Sequence, residues 1–128
     1  MNHGWTTALL SHLVGPRGEV IAMELLGSLK AFAEKNYEKT QYQNAVFIHG
    51  NAAEGYPKKA PFHRILISAG ATAIPSALLS QLAIGGKLAI PLRDALGNLL
   101  LLEKLGENEY HRSYYPGFAF VPFVDNQE

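Results

Sequence analysis

Two rhythms of apolar residues alternate along the chain. One has the spacing of a helix and the other is a short unbroken run of the kind that forms a strand. Leu9, Leu10, Leu13 and Val14 share a face over residues 6–14, which predicts a helix closed by Gly15-Pro16. Residues 19–24, Glu-Val-Ile-Ala-Met-Glu, predict a strand. Over residues 28–39, Leu29, Phe32, Ala33 and Tyr37 oppose Lys30, Glu34, Lys35 and Glu38, an amphipathic helix. A second strand covers 45–49, a loop covers 51–61, and a third strand covers 64–68. Pro75 opens a further helix with Leu78, Leu79 and Leu82 on its buried face and Gly85-Gly86 as its stop. Strands follow at 87–92, 99–104 and 118–124, with turns at 94–98 and 106–108.

Helices alternating with short, nearly continuous apolar strands imply an α/β, doubly wound sheet, covered on both faces and mostly parallel. The last strands have no helices between them, so the C-terminal edge should be antiparallel. A chain of 128 residues fits a single domain, residues 1–128.

Charge and composition narrow the function by exclusion. Lys plus Arg and Asp plus Glu are equal at 11 each, with no block of like charge, which argues against a nucleic-acid partner or a polybasic membrane binder. No apolar run approaches the length of a membrane span. The absence of cysteine removes disulfide, thiolate-metal and cysteine-nucleophile chemistry. It suits a reducing compartment, and the first residues do not form a signal peptide, so the expected location is cytoplasmic. Five histidines (His3, His12, His49, His63 and His111) show no metal-ligand spacing, and none is singled out as functional. Ser68, Ser76 and Ser80 lack the context of a nucleophile elbow.

Ligands of such sheets bind beyond the carboxyl ends of the strands. Three segments occupy those ends: Glu24-Leu25, Gly50-Asn51-Ala52 and Ser68-Ala69-Gly70. Glu24 is placed either to accept the hydroxyls of a ribose or to remain a solvated carboxylate near a helix start. Gly50 suits a tight turn. Asn51 either presents an amide to a ligand edge or serves as a turn residue. The small residues Ala69, Gly70 and Ala71 either leave room for a ligand or merely suit a strand-to-helix loop.

The whole chain resembles the protein-L-isoaspartate O-methyltransferases, which are S-adenosylmethionine-dependent enzymes. Residues 4–10 (Gly-Trp-Thr-Thr-Ala-Leu-Leu), with Leu13-Val14-Gly15, are similar to the end of the family's glycine loop and the helix after it. Residues 20–24 resemble the strand ending in the ribose-binding acid. Residues 50–57 (Gly-Asn-Ala-Ala-Glu-Gly-Tyr-Pro), with Ala60-Pro61-Phe62, resemble its Gly-Asp-Gly, Gly-Tyr-Pro and Ala-Pro-Tyr segments. Residues 74–79, Gln81-Leu82 and 85–91 resemble the helix and strand that follow, and residues 120–124 (Phe-Val-Pro-Phe-Val) the terminal strand.

The resemblance implies a Rossmann-like methyltransferase fold and S-adenosylmethionine as cofactor. It implies methyl transfer to the carboxylate of isoaspartyl residues in damaged proteins or peptides. Gly4, Glu24, Leu25, Gly50, Asn51, Ala52 and Ala69 would line the cofactor. Such a transfer needs proximity more than acid–base chemistry, in keeping with the lack of a catalytic dyad in the sequence.

The chain also departs from the pattern. It opens at the tail of the glycine loop, with Asn2-His3-Gly4 where Gly-Ser-Gly is expected, so the resemblance implies a domain lacking its first strand and its substrate segment. Asn51 stands for the adenine-binding acid, Ala52 for a glycine and His63 for an acid. Two readings follow. One is a partial methyltransferase. The other is a non-catalytic fold remnant acting as a binding or assembly module. A homo-oligomer through an open sheet edge is expected of the second. No intact Gly-x-Gly-x-x-Gly opens a βα unit, which ranks a dehydrogenase lower.

Overall fold

The computed structural model describes residues 4–68, 72–93 and 97–116. In chain order the elements are α1 (Trp5–Val14), β1 (Val20–Glu24), α2 (Gly27–Tyr37), β2 (Ala45–His49), β3 (Phe62–Leu66), α3 (Ser76–Gln81), β4 (Leu82–Pro91), β5 (Leu99–Gly106) and β6 (Glu109–Tyr115). Single 3-10 turns at Ala52–Glu54 and Pro57–Lys59 lie between β2 and β3. The chain forms two compact units that divide after Ala52.

In the first unit β1 and β2 pair in parallel, from Val20 opposite Ala45 to Glu24 opposite His49. Helix α1 starts at Gly4 (φ 97°) and ends at Gly15 (φ 80°), two backbone conformations that favour glycine. Periodicity predicts a leucine face for α1, yet the residues it buries are Thr7, Ala8 and Ser11. Leu9 and Leu13 stay 58% and 68% exposed. The small face is buried because the two helices approach closely. A β-carbon on Gly4 would fall 2.5 Å from the Ala33 carbonyl oxygen of α2.

The core of this unit is Ala8, Ala22, Ala33, Tyr37 and Phe47, with Tyr37 and Phe47 edge to face at 5.4 Å. A polar lock completes it. The Tyr37 hydroxyl donates to Asn44 Oδ1 (3.4 Å), which leaves the Ser11 hydroxyl to donate to Tyr37 (2.9 Å). Asn44 Nδ2 donates to the carbonyls of Ser11 (3.1 Å) and Gly15 (2.8 Å), satisfying the end of α1.

The second unit is a four-stranded sheet in the order β3-β4-β5-β6. The β3–β4 pair is parallel, and the β4–β5 and β5–β6 pairs are antiparallel. Its core is Ile67, Leu78, Leu82, Leu88, Ile90, Leu100 and Leu102. Alternate residues of β4 and β5 point into it, as a pleated strand requires.

Three expectations from the sequence need correction here. The third helix ends at Gln81, and Leu82 is the first residue of β4. Gly85-Gly86 therefore does not stop a helix but lies inside β4, where the register against β3 shifts between Phe62 and Arg64. Gly85 has φ +86°, and a β-carbon on Gly86 would lie 2.8 Å from the Ala83 carbonyl and 3.0 Å from that of His63. Both are glycine positions of a bulged strand. Strand β6 (Glu109–Tyr115) is not among the elements expected from the sequence. Cover on both faces is also incomplete, since Val46 of β2 and Leu66 of β3 are 43% and 51% exposed. The strand expected at 118–124 lies outside the described residues.

Candidate functional site

The parallel register of the first unit brings two of the three sequence-identified segments together. Glu24 ends β1 directly opposite His49, which ends β2. The Gly50 amide then donates to the Glu24 carbonyl (3.0 Å), so the ladder extends one step beyond the strands. Glu24, Leu25, Gly50, Asn51 and Ala52 are all half-buried at or just after these carboxyl ends. Among the described residues no side chain bonds the Glu24 carboxylate. A half-buried carboxylate without a protein partner keeps its acceptor sites for a ligand or for water.

Gly50 does not adopt a left-handed conformation, so backbone freedom is not what requires glycine there. What constrains it is space: a β-carbon there would meet Met23 Cε at 3.0 Å. Gly4 has a different environment, with Ala33, Asn36 and Tyr37 of α2 as its nearest neighbours. Its packing accounts for its identity. Ala69, Gly70 and Ala71 lie outside the described residues.

Two residues emerge that sequence reasoning did not single out. His49 Nε2 lies 2.8 Å from the Leu25 carbonyl, tying the end of β2 to the turn after Glu24. Its position as the last residue of a strand, just before a glycine, was the available signal. Gln81, in the second unit, is buried and uses both ends of its amide. Its Oε1 accepts from the Tyr56 amide (2.8 Å) and its Nε2 donates to the Glu54 carbonyl (3.1 Å). Gly55, between them at φ +65°, has no room for a β-carbon beside that amide. A glutamine on the inner side of a short apolar helix was its signal.

Among the described residues no three His, Asp or Glu side chains come together to hold a metal. No described helix is long and apolar enough to cross a membrane.

Parallel strands whose carboxyl ends carry an acid and a glycine are the arrangement in which Rossmann-like folds present a nucleotide site. Solved structures share this fold. A protein-L-isoaspartate O-methyltransferase superposes with a TM-score of 0.87 over 94% of this chain and 39% of its own, at 23% identity. A Plasmodium falciparum structure assigned to that family, in complex with S-adenosyl-L-homocysteine, gives 0.74 over 84% of this chain and 53% of its own, at 24% identity. The model of the protein-L-isoaspartate(D-aspartate) O-methyltransferase family matches residues 2–128, and the chain belongs to that family.

Curated relatives agree. The protein-L-isoaspartate O-methyltransferase of Methanopyrus kandleri is 40% identical over 126 residues, which are 97% of this chain and 56% of the relative. That of Aeromonas hydrophila is 38% identical over 122 residues, 95% of this chain and 58% of the relative. The chain thus spans little more than half the length of the curated relatives it matches. None of these relatives favours a non-catalytic binding or assembly module.

Proposed function

We propose that residues 1–128 form a partial S-adenosylmethionine-dependent methyltransferase domain, acting in methyl transfer to isoaspartyl carboxylates of damaged proteins or peptides. One observation carries the reading: Glu24 and Gly50-Asn51 meet at adjacent carboxyl ends of two parallel strands, joined by the Gly50–Glu24 hydrogen bond of 3.0 Å.

The Glu24 carboxylate would accept from the ribose hydroxyls, a task that suits a half-buried acid with open acceptor sites. Leu25 would lie against the sugar or base. Gly50, held close to Met23, leaves the backbone near the ligand uncovered. The Asn51 carbonyl oxygen would accept from the adenine amino group without adding charge, with Ala52 beside it. Gly4 and Ala69 complete the cofactor-lining set that the family resemblance suggests. When bound, S-adenosylmethionine supplies a sulfonium methyl that a carboxylate can attack directly. The chain's contribution is then to bind and orient, which holds the reacting groups in line.

Calorimetric titration with S-adenosyl-L-homocysteine tests the reading, together with transfer of labelled methyl to an isoaspartyl peptide. Saturable binding that weakens about tenfold or more in Glu24→Ala is expected, the loss of one charge-assisted contact. Absence of saturable binding by the wild-type chain would sink it.

Self-association is a separate proposal. Among the described residues β1 pairs only with β2, and an unpaired strand edge attracts a partner. Light scattering over a concentration series is expected to show a dimer or larger species, and a strict monomer would remove the idea.

A further inference from the structure

We infer that His49 is a positioning residue for the nucleoside side of this site, acting through the turn that follows Glu24. The inference rests on the proposed adenosyl binding at the ends of β1 and β2. His49 is the register partner of Glu24 and the last residue of β2. Its Nε2 stands 2.8 Å from the Leu25 carbonyl oxygen. A carbonyl only accepts, so Nε2 carries the proton and donates. In the neutral ring this fixes the tautomer and leaves Nδ1 as an acceptor.

The ring also lies over the start of α2. A β-carbon on Gly27 would sit 3.8 Å from Cε1 and 3.9 Å from Nδ1, at ordinary van der Waals distance. One side chain from β2 thus spans Leu25 to Gly27, the whole connection between Glu24 and α2. The Glu24–Leu25 backbone sets the point from which the Glu24 side chain departs, and the turn after it is what the His49 bond restrains. Leu26, which precedes α2, offers no side-chain cap of its own, so the local sequence does not fix this connection. The Gly50–Glu24 bond holds one side of Glu24 and the His49–Leu25 bond holds the other. The pair of bonds holds the backbone on both sides of Glu24 before a ligand arrives, which lowers the ordering cost of binding.

The bond is solvent-exposed. Removing it should therefore leave folding nearly intact while loosening the turn. Two variants separate donor from bulk: His49→Phe keeps a ring without a donor, and His49→Gln keeps a donor at similar reach. S-adenosyl-L-homocysteine is titrated calorimetrically into each, and amide hydrogen exchange of residues 25–28 is followed in the ligand-free proteins.

His49→Phe is expected to bind about five- to tenfold more weakly, with faster exchange at 25–28 and an unchanged melting midpoint. His49→Gln should return to within about twofold of wild type on both readouts. Wild-type affinity in His49→Phe overturns the inference, as does a His49→Gln variant no better than His49→Phe. A wild-type chain that takes up no S-adenosyl-L-homocysteine overturns the functional reading itself, and this inference falls with it. The two failures are distinguished by the wild-type titration alone.

Discussion

At the scale of single residues, glycines that look alike in the sequence do different jobs. The family resemblance implies that Gly4 and Gly50 both line the cofactor. Gly4 combines φ 97° with a β-carbon position 2.5 Å from a backbone carbonyl oxygen, and neither obstacle can move cheaply. Gly50 has ordinary backbone geometry and only the flexible tip of Met23 at 3.0 Å. Gly4→Ala is therefore expected to cost about 2–4 kcal/mol, combining left-handed strain with overpacking. Gly50→Ala should cost about 1 kcal/mol or less, since a methionine side chain re-packs readily. Urea denaturation of both variants checks this, and equal losses would contradict the geometry. The sequence could mark these positions as glycine because turns and loops are where glycine occurs. It could not say which neighbour excludes a β-carbon, because Ala33 is far from Gly4 along the chain and Met23 far from Gly50. His49 was overlooked for the same reason. Its bond to Leu25 spans 24 positions and leaves no trace in local spacing.

At the scale of elements, those announced by an apolar run or by helical spacing of apolar residues are legible, whether or not that face is buried, and β6, which has neither, is not. The first strand is expected at 19–24 and runs Val20–Glu24, and the second is placed at its observed bounds, Ala45–His49. Strand β6 is not legible because its sequence, Glu-Tyr-His-Arg-Ser-Tyr-Tyr, contains no aliphatic run. Its place is fixed by backbone pairing with β5, from Leu99 opposite Tyr115 to Gly106 opposite Glu109. The boundary between α3 and β4 was misplaced because Leu82 fits two patterns. It continues the helical spacing of Leu78 and Leu79, and it also begins the buried row of β4, which resumes after the bulge as Gly86, Leu88, Ile90.

The short helix that results needs help at its end. A helix of six residues leaves most of its final carbonyls without intrahelical donors. Lys104 of β5, only 5% exposed, donates from Nζ to the Leu79 carbonyl at 2.9 Å. A cation there also opposes the negative end of the helix dipole. Lys104→Met keeps the apolar stem but leaves that carbonyl without this donor. It is expected to lower stability by about 1–3 kcal/mol, the value of a charge-assisted bond. Thermal and chemical unfolding measure the loss. A neutral or stabilising result would mean that the apolar replacement packs better than the lysine it removes.

At the scale of the whole molecule, the question is whether the half-buried acid at the end of β1 accepts from the hydroxyls of a ligand or only from water. Mass action gives a measure that does not depend on turnover. A ligand that binds only the folded chain stabilises it by about 2.7 kcal/mol at one hundred times its dissociation constant. For a chain of this size that raises the melting midpoint by about 10 °C. Glu24→Gln keeps the shape of the side chain and removes its charge. If Glu24 accepts both ribose hydroxyls, S-adenosyl-L-homocysteine should bind Glu24→Gln about tenfold more weakly. At the same ligand concentration the stabilisation then falls to about 1.4 kcal/mol, so the thermal shift is cut roughly in half. The ligand-free midpoint should hardly change, because among the described residues no side chain bonds that carboxylate. That combination distinguishes the two roles. A merely solvated Glu24 would leave both midpoints as in wild type. A structural Glu24 would lower the ligand-free midpoint and leave the ligand-induced increment unchanged. Only a ligand-facing acid lowers the increment alone, and differential scanning fluorimetry with and without S-adenosyl-L-homocysteine reads both quantities in one experiment.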